Sequence, residues 1–165
     1  MLIDLESLLQ GGCERMSLDE SFDFSKEELD GVFPFTTPVR VHGDIVNRAG
    51  IVTMQAAADC DMRFVCDRCA GQAARRLHVP MTHILVSELQ GDDDADRYIL
   101  VPDGKLDLFQ LALEDVFLSL PSKLLCKEDC KGICPQCGKN LNEGPCDCKK
   151  EIDPRFAALL DLLDS

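Results

Sequence analysis

Cys126-Lys-Glu-Asp-Cys130-Lys-Gly-Ile-Cys134-Pro-Gln-Cys137-Gly-Lys-Asn-Leu-Asn-Glu-Gly-Pro-Cys146-Asp-Cys148 places six sulfurs in 23 residues. Upstream, Cys66-Asp-Arg-Cys69 adds a seventh and an eighth, so the clustered cysteines fall into four close pairs. Zinc takes four thiolates in a tetrahedron, and two cysteines two or three residues apart chelate one ion when a tight turn lets both side chains converge. Gly138, directly after Cys137, suits such a turn because glycine tolerates positive φ. Eight ligands divide into two sets of four. Cys134 and Cys137 find their nearest partners in Cys146 and Cys148 across a loop whose Asn, Gly and Pro favour turning back, and this is site B. Cys66 and Cys69 then pair with Cys126 and Cys130 as site A. The expected cofactor is zinc, two ions per chain.

A cysteine-rich segment of this kind buries too little apolar surface to fold alone, so it needs a core to stand on. The residues before it supply one. Val39, Val41, Ile45 and Val46 lead into Asn47-Arg-Ala-Gly50 and then Ile51, Val52, Thr53 and Met54, the pattern of a β-hairpin. Cys60 to Cys66 and Ala73 to Val86 read as strands around a turn at Asp67–Gly71, which puts Cys66 and Cys69 at a hairpin tip. Tyr98–Val101 reads as a further short strand. Asp107-Leu-Phe-Gln110 caps a helix running to about Leu120, with Phe109, Leu113, Val116, Phe117 and Leu120 at helical spacing, widened by Leu108, Leu111, Ala112 and Leu118, and Pro121 ending it. Ser25-Lys-Glu-Glu28 has the form of a capping box and predicts a short helix before Gly31. Asp153-Pro154 predicts a last short helix with Phe156, Leu159, Leu160 and Leu163 on one face. The fold class is α+β: antiparallel hairpins or sheet with one long packed helix, followed by the zinc module and a short terminal helix. The division expected is a core over 1–121 and a zinc module over 122–165, packed on it.

The chain has 165 residues, 45% of them apolar and 28% charged, with a formal net charge of −13. No apolar run is long enough to span a bilayer. The start lacks a basic n-region and a long apolar stretch, so a cytoplasmic location is expected. Reduced thiols in that compartment favour metal ligation over disulfides. The negative charge disfavours indiscriminate nucleic-acid coating, yet it is uneven. Within 63–86, four arginines stand against Asp67, and within 122–150 six lysines stand against four acids, so both cysteine-bearing segments are positive. Arg63, Arg68, Arg75 and Arg76, with His78, are the candidate nucleic-acid contacts, and Lys123, Lys127, Lys131 and Lys139 extend them if site A joins the segments.

Other chemistries fit less well. A redox role for Cys66 and Cys69 wants the first cysteine at a helix N-terminus, where the dipole lowers its pKa, and these flanks are strand-like. The spacings match neither ferredoxin pattern. Cys13 and Cys60 stand alone and read as small hydrophobes. His42, His78 and His83 lie in strands with no second ligand nearby in sequence. The acidic loop Gly91–Asp96 reads as solvated surface. No phosphate loop, dinucleotide fingerprint or nucleophile elbow occurs, and a hydrolytic zinc would need an open coordination position; no catalytic residue and no small-molecule substrate are expected.

Taken together, Cys66-Asp-Arg-Cys69, Leu120-Pro121, Asp129-Cys-Lys-Gly-Ile-Cys-Pro-Gln-Cys-Gly-Lys-Asn-Leu-Asn142, Cys146-Asp-Cys148 and Asp153-Pro-Arg155 resemble the YceD family, named for accumulation of large-subunit ribosomal RNA. The resemblance covers roughly residue 15 to the end. It implies a non-enzymatic factor for 23S ribosomal RNA accumulation or ribosome assembly, whose partner is precursor ribosomal RNA or a large-subunit ribosomal protein. Two alternatives stand beside it: an acidic chaperone for a basic ribosomal protein, and a thiol-redox protein using Cys66 and Cys69.

Overall fold

The computed structural model describes residues 1–29, 31–88 and 97–148. The elements are β1 (Leu2–Asp4), α1 (Glu6–Leu9), β2 (Arg15–Phe22), β3 (Val39–Arg48), β4 (Ile51–Val65), β5 (Gln72–Val86), β6 (Tyr98–Leu100), β7 (Lys105–Asp107) and α2 (Leu108–Ser119). Strands β2 to β6 form one sheet in sequence order, antiparallel except for the β5–β6 pair, which is parallel. Strands β1 and β7 pair separately.

Period-two alternation decides which face is buried. Val39, Val41 and Ile45 of β3, Val52, Met54, Ala58, Cys60, Met62 and Phe64 of β4, and Val79, Met81 and Leu85 of β5 all point into the core. The expected hairpin around Asn47–Gly50 is present, with the Asn47 side chain accepting from the Gly50 N–H at 3.0 Å. Its second strand does not stop near Met54 but continues for 15 residues to the cysteine turn. Strands of that length reach about 50 Å when flat, at roughly 3.4 Å per residue, so the sheet must curl to wrap one modest core. Gly43 lies in the middle of β3, opposite Ala56 and at φ +152, and a Cβ there would meet the Gln55 carbonyl oxygen at 2.3 Å.

Helix α2 begins as its sequence predicts, with the Asp107 carboxylate accepting from the Gln110 N–H at 3.4 Å. It has 12 residues, about three turns, and is the one helix of seven or more residues among those described, so the long helix expected is a helix of ordinary length. The buried stripe is Leu108, Leu111, Ala112 and Val116, with Phe109, Leu113 and Phe117 flanking it and Leu118 84% exposed. The apolar arc is therefore narrower than its composition suggested. His83 on β5 meets Asp115 of the helix at 2.6 Å and sets how the helix lies on the sheet.

Ser25–Glu28 forms no helix. The Asp23 carboxylate accepts from the Ser25 N–H at 2.9 Å, closing a local turn that competes with the helical ladder, while Phe24 is driven into the core against Phe22, Phe35 and Phe109. The acidic loop over 91–96 and the terminal helix expected from Asp153 lie outside the described residues. No described helix is long and apolar enough to cross a membrane.

Candidate metal centres

The β4–β5 tip makes a tight reversal. Cys66 N–H donates to the Gly71 carbonyl and Ala70 N–H to the Cys66 carbonyl, both at 2.9 Å, with Ala70 at positive φ. This turn aims Cys66 and Cys69 to one side. The chain leaving α2 is drawn onto that side by Asp67, whose N–H donates to the Leu124 carbonyl at 2.9 Å while its carboxylate accepts from the Leu124 N–H at 2.6 Å. Arg75 adds a bond to the Leu125 carbonyl at 3.1 Å, and Arg68 one to the Cys130 carbonyl at 3.1 Å. Gly132 runs close beneath Arg68 at φ +74, where a Cβ would stand 2.9 Å from the Arg68 carbonyl oxygen.

These tethers bring the sulfurs of Cys66, Cys69, Cys126 and Cys130 within 4.8 Å of one another. Cys66 and Cys130 are 3.8 Å apart and Cys69 and Cys126 are 3.7 Å apart. A tetrahedral zinc ion with sulfur at about 2.3 Å has ligand-to-ligand edges of about 3.8 Å, whereas a disulfide needs about 2.05 Å, so the spacing fits a shared ion and not a disulfide.

Cys134, Cys137, Cys146 and Cys148 form a second such group, again within 4.8 Å. Its first turn repeats the hairpin tip: Gly138 N–H donates to the Cys134 carbonyl at 2.9 Å, with Gly138 at φ +71. Lys139 reaches the Pro145 carbonyl at 2.8 Å and fixes the intervening loop. Asn142 joins the two groups, because its Oδ1 accepts from Lys131 N–H at 2.9 Å while its Nδ2 donates to the Cys130 sulfur at 3.3 Å. The sequence marked the 139–145 loop only as a reversal, and no spacing rule pointed to Asn142. Hydrogen bonds to a ligand sulfur commonly change metal affinity by about 10–100-fold, so Asn142→Ala is expected to weaken zinc at the first group by that factor and leave the second nearly unchanged. Competition against a graded series of chelators reads both affinities, and equal losses at the two groups would sink the assignment.

Within each group at least one thiol is lowered and one raised. Backbone N–H groups of Cys126, Cys69 and Arg68 bring Cys66 down to about 6, and those of Cys137 and Gln136, with the Cys146 thiol, bring Cys134 to about 6. Cys130 is lowered by the Asn142 amide and the Gly132 N–H. Desolvation, then its three sulfur neighbours, pushes Cys126 up to about 12, and the Cys137 and Cys134 sulfurs with desolvation push Cys148 to about 12. The thiols cannot all ionise together unless a cation joins them. A divalent ion supplies that charge and displaces the remaining protons.

Arg68 and Arg75 serve the tethers just described, and Arg75 also lies over the Phe64 ring at 5.9 Å. Arg63, Arg75 and Arg76 line one groove with Thr36, Thr37 and Asp61, and Arg68 is not among its lining residues. Of the histidines, His42 and His78 both bond Asp59 at 2.8 Å, which lowers that carboxylate below its ordinary value. Cys60 is buried among apolar side chains, which raise it to about 11, and Cys13 is half-buried.

Geometry defines the class: a curled β-sheet protein with two four-cysteine groups able to hold metal ions. The family model described as large ribosomal RNA subunit accumulation protein YceD matches residues 54–163, and the chain belongs to that family. An uncharacterized protein of Bacillus subtilis, YlbN, is 30% identical over 91% of this chain and 89% of its own length. An uncharacterized protein of Mycobacterium tuberculosis is 35% identical over 59% of this chain, and the match spans 49% of that longer protein. The chloroplastic large ribosomal RNA subunit accumulation protein YCED homolog 1 of Arabidopsis thaliana is 23% identical over 72% of this chain and 46% of its own. No solved structure matches the chain.

Proposed function

We propose that this protein is a non-enzymatic factor for accumulation of large-subunit ribosomal RNA, which holds two structural zinc ions and contacts precursor 23S ribosomal RNA. The observation that carries the reading is that each sulfur group can fill all four positions of a tetrahedral ion, which leaves no site for a reacting water. Zinc so held is scaffold, and activity then lies on the surface it positions. The name of the plant relative supplies the biological process. The same sulfur sets oppose the redox alternative, since Cys66 and Cys69 are then both ligands.

Sedimentation of the zinc-loaded protein with large-subunit precursors tests the reading. Association is expected at low salt and release as salt rises, because phosphate contacts exchange with counterions. Association indifferent to salt would contradict it.

A second reading is favoured by the net charge of −13, which suits a carrier of a cationic large-subunit ribosomal protein. A ribosomal protein retained after nuclease treatment supports the carrier, and one lost with the RNA supports RNA contact.

A further inference from the structure

The segment from Val32 to Thr37 runs along the end of β4 as an irregular extra strand. Arg63 N–H donates to the Pro34 carbonyl at 2.8 Å, and Phe35 bridges Met62 in antiparallel register. Phe35 turns inward and is buried, while Phe33, two residues earlier, stays 57% exposed. Phe22, Phe24, Phe35 and Phe64 are buried and Phe109 and Phe117 pack against the core, so Phe33 is the exposed phenylalanine among the described residues. Val32 before it and Val65 at the end of β4 are exposed as well. A shallow groove of about 570 Å³ opens here, lined by Val32, Arg63, Val65 and Ala74 among others.

Arg63 also borders the second groove, with Arg76, Thr36 and Thr37. Arg63 faces Ala74 across the strands and Arg76 lies two residues further along β5, a diagonal pair about 7–8 Å apart on one face. Elsewhere on the sheet face Arg15 is paired with Asp44 and Arg40 with Asp19, while Arg48 at the far end of β3 stands apart from this groove. Neither the Arg63 nor the Arg76 guanidinium has an ion-pair or hydrogen-bond partner among the described residues, although the chain carries 30 acids. Asp61 faces Arg76 directly across the strands and lines the same groove, and forms an ion pair with neither arginine. An exposed ring one residue from the Pro34–Arg63 contact, with two arginines and two hydroxyls in the adjoining groove, supplies the groups that take an unpaired base on the ring and its phosphates on the cations.

We infer that Phe33, Arg63 and Arg76, with the Thr36 and Thr37 hydroxyls, form a binding surface for single-stranded RNA at the tip of the β4–β5 hairpin. The inference rests on the RNA-contacting reading above and names the surface that carries it. The ring stacks on a base, and Arg63 and Arg76 hold neighbouring phosphates. Duplex RNA keeps its base faces covered and gains only the phosphate contacts, so single strands bind more tightly.

The chain contains no tryptophan, so Phe33→Trp installs a single reporter at the stacking position. With zinc-loaded protein and a mixed-sequence single-stranded RNA of about 12 nucleotides, its emission is expected to be quenched on binding, with affinity retained. Phe33→Leu keeps the apolar surface and loses stacking, and is expected to weaken binding roughly 5- to 150-fold by the usual worth of one stacked base. Arg63→Gln with Arg76→Gln is expected to lower the salt slope by about 1.4, at about 0.7 per lost phosphate contact. Zinc content and thermal midpoint verify that each variant is folded. If the wild type binds RNA and these variants bind as tightly with unchanged slope, the surface is wrong while the proposed function stands. A Phe33→Leu variant that binds RNA normally but fails to retain a ribosomal protein would make this face a protein interface and overturn the inference. A wild type that binds neither the RNA nor large-subunit precursors overturns both.

Discussion

Removing zinc is expected to release residues 122–148 from the sheet while β2 to β6 stay folded. Little besides the sulfurs could hold that segment: between Lys123 and Cys148 the buried residues are Cys130, Gly132 and Cys134, Leu124 is half-buried against the main core and Leu125 half-buried against the first sulfur group. The sheet instead rests on a continuous apolar core from Leu5 to Val116. Structural zinc in small modules is worth on the order of 10–16 kcal/mol near neutral pH, far more than the few tethers through Asp67, Arg68 and Arg75 provide. Two zinc ions per chain should be found by metal analysis of the native protein. After chelation, hydrogen exchange should rise throughout 122–148 and stay slow in β3, β4 and β5. An unchanged exchange pattern in the fully stripped protein would refute a structural role.

Acid should mimic the chelator, and the direction follows from the thiols. Cys66 and Cys134 are lowered from 9.0 to about 6, so the stability linked to their thiolates is full above about 9, partial at neutral pH and gone once pH falls below about 6. Cys126 and Cys148 are raised, so without a cation they stay protonated at neutral pH, and their ionisation is coupled to metal binding. Proton release on zinc loading is therefore expected at pH 7, and zinc loss should steepen below pH 6.

The cysteine pattern was legible because ligand pairs announce themselves locally. Cys66-x-x-Cys69 and Cys134-x-x-Cys137 each form the turn their spacing requires, and the sulfurs from 126 onward come together in the two sets that proximity in sequence suggested. What escaped was everything that acts across the chain. The Asp67 grip on Leu124 spans 57 residues, and the Asn142 contact with the Cys130 sulfur depends on how one loop folds back over another. Neither leaves a periodic trace. The arginines show the same limit: clustering in sequence grouped four, but it did not show that Arg68 and Arg75 hold backbone carbonyls across the chain while Arg63, Arg75 and Arg76 share one groove.

In the fold, the strands with strong alternation were legible and those with weak signals were not. β4 and β5 carry long apolar/polar alternation, whereas Arg15–Phe22 mixes Arg, Ser, Asp and Glu between Met16, Leu18 and Phe22, and no strand is expected there from sequence. Strands β1 and β7 have three residues each, too few for any period. At Ser25, local side-chain bonding from Asp23 outcompeted a capping box that had no apolar stripe to reward a helix.

Gly43→Ala is expected to be among the most destabilising single substitutions in the sheet. Glycine inside a strand normally costs stability relative to alanine, so its place in the middle of β3 calls for a reason. The reason is a close approach: an alanine Cβ would lie 2.3 Å from the Gln55 carbonyl oxygen, 2.4 Å from the Ala56 Cα and 2.8 Å from the Ala56 Cβ. Two of these are backbone atoms of the paired strand, so no rotamer change relieves them and β3 must move off β4. Overpacking costs about 1–3 kcal/mol and the φ strain a similar amount, for a sum of about 2–6 kcal/mol. Domains of this size have about 5–15 kcal/mol in all, so urea midpoints should fall sharply. Gly50→Ala separates the two contributions, since Gly50 has φ +85 but nothing within 4 Å of the added carbon. It should lose only the strain, about 1 kcal/mol. Equal losses at the two positions would mean that the close approach adds nothing beyond the backbone strain. A larger loss at Gly43 would tie the curl of the sheet to that contact, and with it the placement of the hairpin tip that presents Cys66, Cys69, Arg63 and Arg76.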